Sequence, residues 1–150
     1  MKPLSGIKVL DLTHMLAGPY AGMVLADLGA DVVKIEPLVT GEMTRSLLAN
    51  DPDYSFKGFG AYFLTLNRNR KSVSVDLKSS EGLSVFYDLV KSADVVLNNF
   101  SAGVVSKLKI DFDTLKSINP KIVSCSITGF GETGPHSSRP AYDQIVQAYS

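Results

Sequence analysis

Residues 7–36 decide the fold. They open with Ile7-Lys8-Val9-Leu10-Asp11-Leu12, continue through Thr13-His14-Met15-Leu16-Ala17-Gly18-Pro19, and after Gly29 run Asp31-Val32-Val33-Lys34-Ile35-Glu36. The first and last of these runs are short and apolar, the second rich in β-branched side chains, as strands require. Between them a helical pattern extends from about Pro19 to Leu28. Proline suits the first turn of a helix, and Gly29 is placed to close the last. Strand, loop, helix and strand in so short a stretch make a βαβ unit with a right-handed crossover.

The same alternation returns downstream. Ser72-Val73-Ser74-Val75-Asp76-Leu77 alternates as a strand should, and Ser79 can cap the following helix. On that helix Leu83, Phe86, Val90 and Ala93 fall on one face. Asp94-Val95-Val96-Leu97-Asn98-Asn99 predicts a fourth strand. Short helices follow at about Ser101 to Leu108 and at Asp113 to Ser117, the second ended by Asn119-Pro120. Lys121 to Ile127 predicts a fifth strand and Gly129 to Pro135 a glycine-spaced loop. Pro37 to Asn69 interrupts the pattern as a long irregular excursion with one short helix near Thr44 to Leu48. From Asp143, Ile145, Val146 and Tyr149 begin an amphipathic helix that the pattern expects to extend beyond Ser150. Strands alternating with helices, most of them apolar enough for cover on both faces, predict an α/β fold: a Rossmann-like, doubly wound, mostly parallel sheet with helices on both faces.

Composition narrows the function. The 150 residues are 45% apolar and 20% charged, and fifteen basic residues balance fifteen acidic ones. No global field draws such a chain to nucleic acid or to an anionic membrane. Asp27, Asp31 and Lys34 break the longest apolar run well short of the roughly 20 residues of a membrane span. One cysteine, Cys125, leaves no internal disulfide and no multi-thiolate metal site; inside a strand pattern it reads as an inert buried thiol. A cytoplasmic location is expected, with a mitochondrial matrix or peroxisome as alternatives in a eukaryote.

Ligands of a doubly wound sheet bind beyond the carboxyl ends of its strands. Those tips are Thr13 to Ala17, Glu36 to Pro37, Asp76 to Lys78, Asn99 to Ser101 and Thr128 to Gly134. The first tip lacks the G-x-G-x-x-G of a dinucleotide site, although Glu36 stands where a ribose-binding acid would. Asn67-Arg68-Asn69-Arg70-Lys71 admits two readings, a phosphate-holding loop or a solvated approach to a strand. His14 could act as acid or base, but no carboxylate is evident near it, and a structural histidine is the commoner role. No metal-ligand spacing appears.

Several stretches, in order, carry a resemblance. Leu4-Ser5-Gly6-Ile7-Lys8-Val9-Leu10-Asp11-Leu12-Thr13, Ala17-Gly18-Pro19, Ala26 to Pro37 and Gly41-Glu42-Met43-Thr44-Arg45 resemble the start of the family III CoA-transferases. Leu66 to Ser72, Val75-Asp76-Leu77-Lys78, Asn99-Phe100 and Ser126 to Pro135 continue the match. The group includes formyl-CoA and carnitine CoA-transferases and α-methylacyl-CoA racemase.

The resemblance implies that residues 1–150 are the N-terminal part of a CoA-binding large domain, ending before a small domain, in an interlocked homodimer. It implies coenzyme A or acyl-CoA as substrate, a carboxylic acid as partner, and no tightly bound cofactor or metal. Carried over by position, CoA contacts fall on Leu16, Ala17, Val75, Asp76, Leu77, Lys78, Asn99, Phe100, Ser101 and Lys107. Pro37 stands where some relatives carry a phosphate-binding arginine, a loss that Lys107, or Arg68, Arg70 and Lys71, would make good. The family's nucleophile is an aspartate, expected beyond residue 150, with Tyr142 and Asp143 as supporting residues. It attacks the thioester to give an anhydride and then an aspartyl-CoA thioester. Racemases of the family carry histidine at the position of Tyr142, which favours transfer; a 2-methylacyl-CoA racemase and a non-catalytic CoA-binding fragment are the alternatives. Leu16 replaces the glutamine of oxalate-using members, which argues against oxalate as acceptor.

Overall fold

The computed structural model describes all 150 residues. Five parallel strands form the body: β1 (Lys8–Asp11), β2 (Asp31–Glu36), β5 (Lys71–Ser74), β6 (Val95–Asn98) and β7 (Val123–Ser126). Their order is β5-β2-β1-β6-β7, so the chain reverses direction across the sheet between β1 and β6. That reversal opens a crevice at the carboxyl ends of β1 and β6, the usual ligand position in such sheets.

Alternation along the strands divides the interior into two layers. Leu10, Ile35, Val75 and Val96 face a large core with Phe86 and Val90 of helix α3 (Ser80–Val90) and Leu115 of helix α5 (Phe112–Ile118). Val9, Val32 and Leu97 face the other side, beneath Ala26 of helix α1 (Ala17–Asp27). Ser79 caps α3 by accepting the Gly82 N–H at 3.0 Å, and Asp111 caps α5 by accepting from Thr114 at 3.1 Å. Gly29, at φ +105°, turns the chain from α1 into β2, a conformation costly for any residue with a Cβ.

Three expectations need correction. The excursion is more ordered than the sequence suggests. It holds a 3-10 turn at Met43–Arg45, a hairpin of β3 (Ser55–Phe56) and β4 (Phe59–Gly60), and helix α2 (Ala61–Leu66). These elements are too short for periodicity to reveal. Helices lie on both faces of the sheet, but the cover thins at β7, where Val123 is 58% exposed, because α1 packs against β2, β1 and β6. For the same reason Cys125 is exposed, not buried. The predicted helix at 101–108 shrinks to α4 (Val104–Lys107), and the last helix is α6 (Asp143–Tyr149).

Candidate functional site

The period of two that sends Val9 and Val32 to the α1 face also sends Asp11, Lys34 and Glu36 there, near the strand tips. Asp11 and Lys34 are register partners, with Nζ 3.9 Å from Oδ2, and both are buried. The Arg70 guanidinium ion-pairs with the same Asp11 oxygen and also donates to the Leu66 carbonyl. Gly22 of α1 lies directly above, where a Cβ would stand 2.5 Å from Asp11 Oδ2 and 2.8 Å from Arg70. Glu36 takes two hydrogen bonds of 2.6 Å from Arg45, one of 2.5 Å from Ser72 and one of 2.7 Å from the Glu42 N–H. Burial alone would push its carboxyl up, but these donors outweigh it and hold Glu36 at about 2. Arg45 is sandwiched in turn, 4.1 Å from the Phe63 ring centroid. Asp11, Glu36 and Glu42 thus balance Lys34, Arg45 and Arg70, a neutral network with little exposure.

This network answers two questions of the sequence. Glu36 is fully engaged and is no ribose acceptor. Of the basic cluster, Arg70 is buried on Asp11 and is not free to replace an arginine at Pro37, while Arg68 donates to Asp27 at 2.5 Å and Lys71 to Asp31 at 2.8 Å in exposed surface pairs. The solvated reading fails as well for Arg70, whose side chain is 2% exposed.

Above the network lies the β1 tip. Lys34 Nζ donates to the Thr13 carbonyl at 2.7 Å, and Thr13 donates to Asp11 through both N–H and hydroxyl. Burial lowers the Lys34 pKa despite Asp11. His14 follows, half-buried and 5.8 Å from the Phe100 ring. A carboxylate is near it after all: Glu42 Oε1 lies 4.0 Å from Nδ1, brought there from 28 residues downstream and so invisible to local reading. Burial first, then Lys34, lowers the His14 pKa below 6.5, against Glu42, Asp11 and Glu36. Leu16 and Ala17 are exposed at the N-terminus of α1, which no side chain caps.

Across the crevice, Asn99 spends its amide on the His14 peptide: Oδ1 accepts the His14 N–H at 2.8 Å and Nδ2 donates to the His14 carbonyl at 2.7 Å. Phe100 is half-buried, while Ser101 and Lys107 are exposed. Beyond them an open groove of about 790 Å³ runs past the ends of β6 and β7, lined by Asn98, Ser106, Ser126 and Thr128 with the carboxylates of Asp113 and Glu132. At the switch point Asn99 and Phe100 of the β6 tip thus lie against His14 of the β1 tip; Leu16 and Ala17 follow His14 in the chain, and Ser101 follows Phe100. Asp76, Leu77 and Lys78 follow β5, three strand spacings from β6, or about 14 Å. Val75 is buried in the core, so its side chain is not presented to a ligand. Tyr142 and Asp143 are exposed at the start of α6, which rests on the loop after β7 through Ala141 against Gly129 and Tyr149 against Phe130. No group of three or more histidine, cysteine or carboxylate residues is arranged to hold a metal ion, and no helix is long and apolar enough to cross a membrane.

Comparison with known proteins agrees with this architecture. The profile of CoA-transferase family III matches residues 4–150. A succinate–glutarate CoA-transferase of Agrobacterium fabrum is 44% identical over 153 residues, covering 99% of this chain and 38% of that protein. The succinyl-CoA:glutarate CoA-transferase of Mus musculus is 43% identical over 150 residues, covering 100% of this chain and 34% of that one. A crystal structure of a CaiB/BaiF family protein from Brucella suis superposes with a TM-score of 0.90 at 42% identity, covering 99% of this chain and 39% of that chain. The chain belongs to CoA-transferase family III, and it spans between a third and two fifths of the length of these relatives.

Proposed function

We propose that this member of CoA-transferase family III supplies the CoA-binding wall of an enzyme that moves CoA from an acyl-CoA donor to a carboxylic acid acceptor. The observation that carries the reading is the contact of the β6 tip, Asn99 and Phe100, with His14 of the β1 tip at one crevice beside an open groove. With Arg70 buried on Asp11, Lys107 and Lys78 are the cations we assign to the phosphates of CoA.

The chemistry runs through carboxylates. An aspartate carboxylate, absent from the catalytic set of residues 1–150, adds to the thioester carbonyl; the C–S bond breaks and CoA leaves as thiolate, giving an aspartyl-acyl anhydride. The thiolate attacks the aspartyl carbonyl, forming aspartyl-CoA thioester and releasing the donor carboxylate. The acceptor carboxylate then repeats both steps in reverse. No net proton is consumed, so positioning and exclusion of water are what the protein must provide. Tyr142 in place of histidine favours transfer over racemisation, and Tyr142 and Asp143 are assigned supporting positions. Leu16 at the tip argues against oxalate as acceptor and leaves other carboxylic acids open. The working assembly is a homodimer that completes the acyl pocket.

Titration calorimetry with CoA tests the reading. Binding is expected to weaken with salt and by about tenfold in Lys107→Ala, the worth of one charge-assisted contact. A folded protein that takes up no CoA at low salt overturns it.

A further inference from the structure

The excursion between β2 and β5 returns one buried carboxylate to the β1 tip. The N–H of Glu42 donates to Glu36 Oε2 at 2.7 Å, which ties its backbone to the charge network. Its side chain is wholly buried; Oε1 accepts the Met15 N–H at 2.8 Å, and Oε2 accepts the Thr44 hydroxyl. Met15 sits at φ +66°, the left-handed region. A residue with a Cβ is held there only when its surroundings enforce it. The preceding peptide is clamped by Asn99 from the β6 side. Two side chains, one from each flank, thus fix residues 14 and 15 and leave the His14 ring without a hydrogen-bond partner of its own: the Glu42 oxygen 4.0 Å from Nδ1 is beyond bonding distance.

A locked backbone under an uncommitted imidazole, at the mouth of the crevice, is how a ligand-facing group is held in advance of binding. We propose that Glu42 is a positioning residue. Its hydrogen bond to Met15 maintains the left-handed turn that presents the His14 imidazole, Leu16 and the uncapped amides of α1 to the CoA thioester. This rests on the CoA reading above and adds to it a part for the excursion, which otherwise touches the tip only through its charges. The contact acts through the turn, not through the ligand, because both Glu42 oxygens are already occupied inside the protein.

Two conservative variants separate the hydrogen bond from the charge. Glu42→Gln keeps an acceptor for the Met15 N–H and removes the charge. Glu42→Asp keeps the charge but withdraws it by one methylene. In Glu42→Asp the CoA dissociation constant is expected to rise about tenfold, and the Met15 amide, followed by NMR hydrogen exchange without ligand, to lose protection. In Glu42→Gln the dissociation constant should rise no more than about threefold, with Met15 still protected. There the His14 ring should titrate lower still, since the Glu42 charge that raises its pKa is gone while Lys34, Asp11 and Glu36 remain around it. The reverse ranking, with Gln losing affinity and Asp keeping it, makes the charge the operative feature and overturns the proposal; so does a Met15 amide equally protected in both. Should the wild-type protein bind no CoA, the function proposed above fails by itself, and Met15 exchange in the two variants still decides whether Glu42 holds the turn.

Discussion

The two halves of the sheet end in opposite ways. On the β5-β2-β1 side the strand tips are knitted by buried charges, Asp11 to Lys34 and Arg70, Glu36 to Arg45, and Glu42 over them to the β1 tip. On the β6-β7 side the tips open into a polar groove, and β7 is incompletely covered on either face. One half is a rigid wall whose cations are already matched; the other provides the room. A crevice between a fixed wall and an open one suits a long, flexible ligand, because the fixed side bears the geometry and the open side the bulk. The contrast also assigns labour: substitutions that break the buried ion pairs of the first half should disturb stability, those at exposed residues of the second should disturb binding.

The sharpest way to break that contrast is Arg70→Met. The guanidinium is buried against Asp11, and its loss leaves that carboxylate with Lys34 alone, 3.9 Å away. Removing one partner of a buried pair costs about 3–5 kcal/mol. Lys107→Ala, an exposed change on the other side, should stay within about 0.5 kcal/mol. Urea unfolding followed by circular dichroism measures both, and equal losses would abolish the distinction between the halves.

A smaller effect is expected from acid. Glu36 is held at about 2 against its ordinary 4.5. A carboxyl with a depressed folded pKa contributes stability that is fully present above pH 4.5 and disappears as pH falls toward 2. The stability gap between wild type and Glu36→Gln should therefore be widest near neutrality and close across that window. It should be smaller than the Arg70 effect, because Arg45 keeps a quarter of its side-chain surface in water and regains solvation when Glu36 is gone. A gap independent of pH between 5 and 2 contradicts the pairing.

The same contrast explains what the sequence could disclose. The βαβ start, the five strands and the cap at Ser79 rest on local patterns, and local patterns suffice for them. The ordered family motifs pointed to the strand tips, where Asn99 and Phe100 lie against His14. Hidden from sequence were the partners of the charges. Asp11 and Arg70 lie 59 residues apart, and Glu42 reaches back 27 residues to Met15, so no spacing rule joins them. One signal was available: Asp11, Lys34 and Glu36 occupy inward positions of apolar strands, and a charge there needs a counter-charge. That rule would have claimed Arg70 for the core instead of for phosphate. The fate of Cys125 was not legible, since it depends on which strand lies at the edge, a matter of topology and not of pattern.

The smallest expected effect concerns that cysteine. Cys125 lines a wholly apolar hollow with Val95, Leu97 and Ile127 of the sheet and Tyr20 and Val24 of α1, and it is exposed. A thiol in the tight half of the sheet would be slow to react, and its replacement would leave a polar group in the core. At β7 neither holds. In the folded protein Cys125 should react with Ellman's reagent within about tenfold of the rate of an unfolded control, and Cys125→Ser should change unfolding free energy by less than about 0.5 kcal/mol. Strong protection of the thiol would mean that something covers the β6-β7 face in solution. A full-sized loss on serine substitution would mean that the second half is packed as tightly as the first. Either result removes the openness on which the division between the two halves depends.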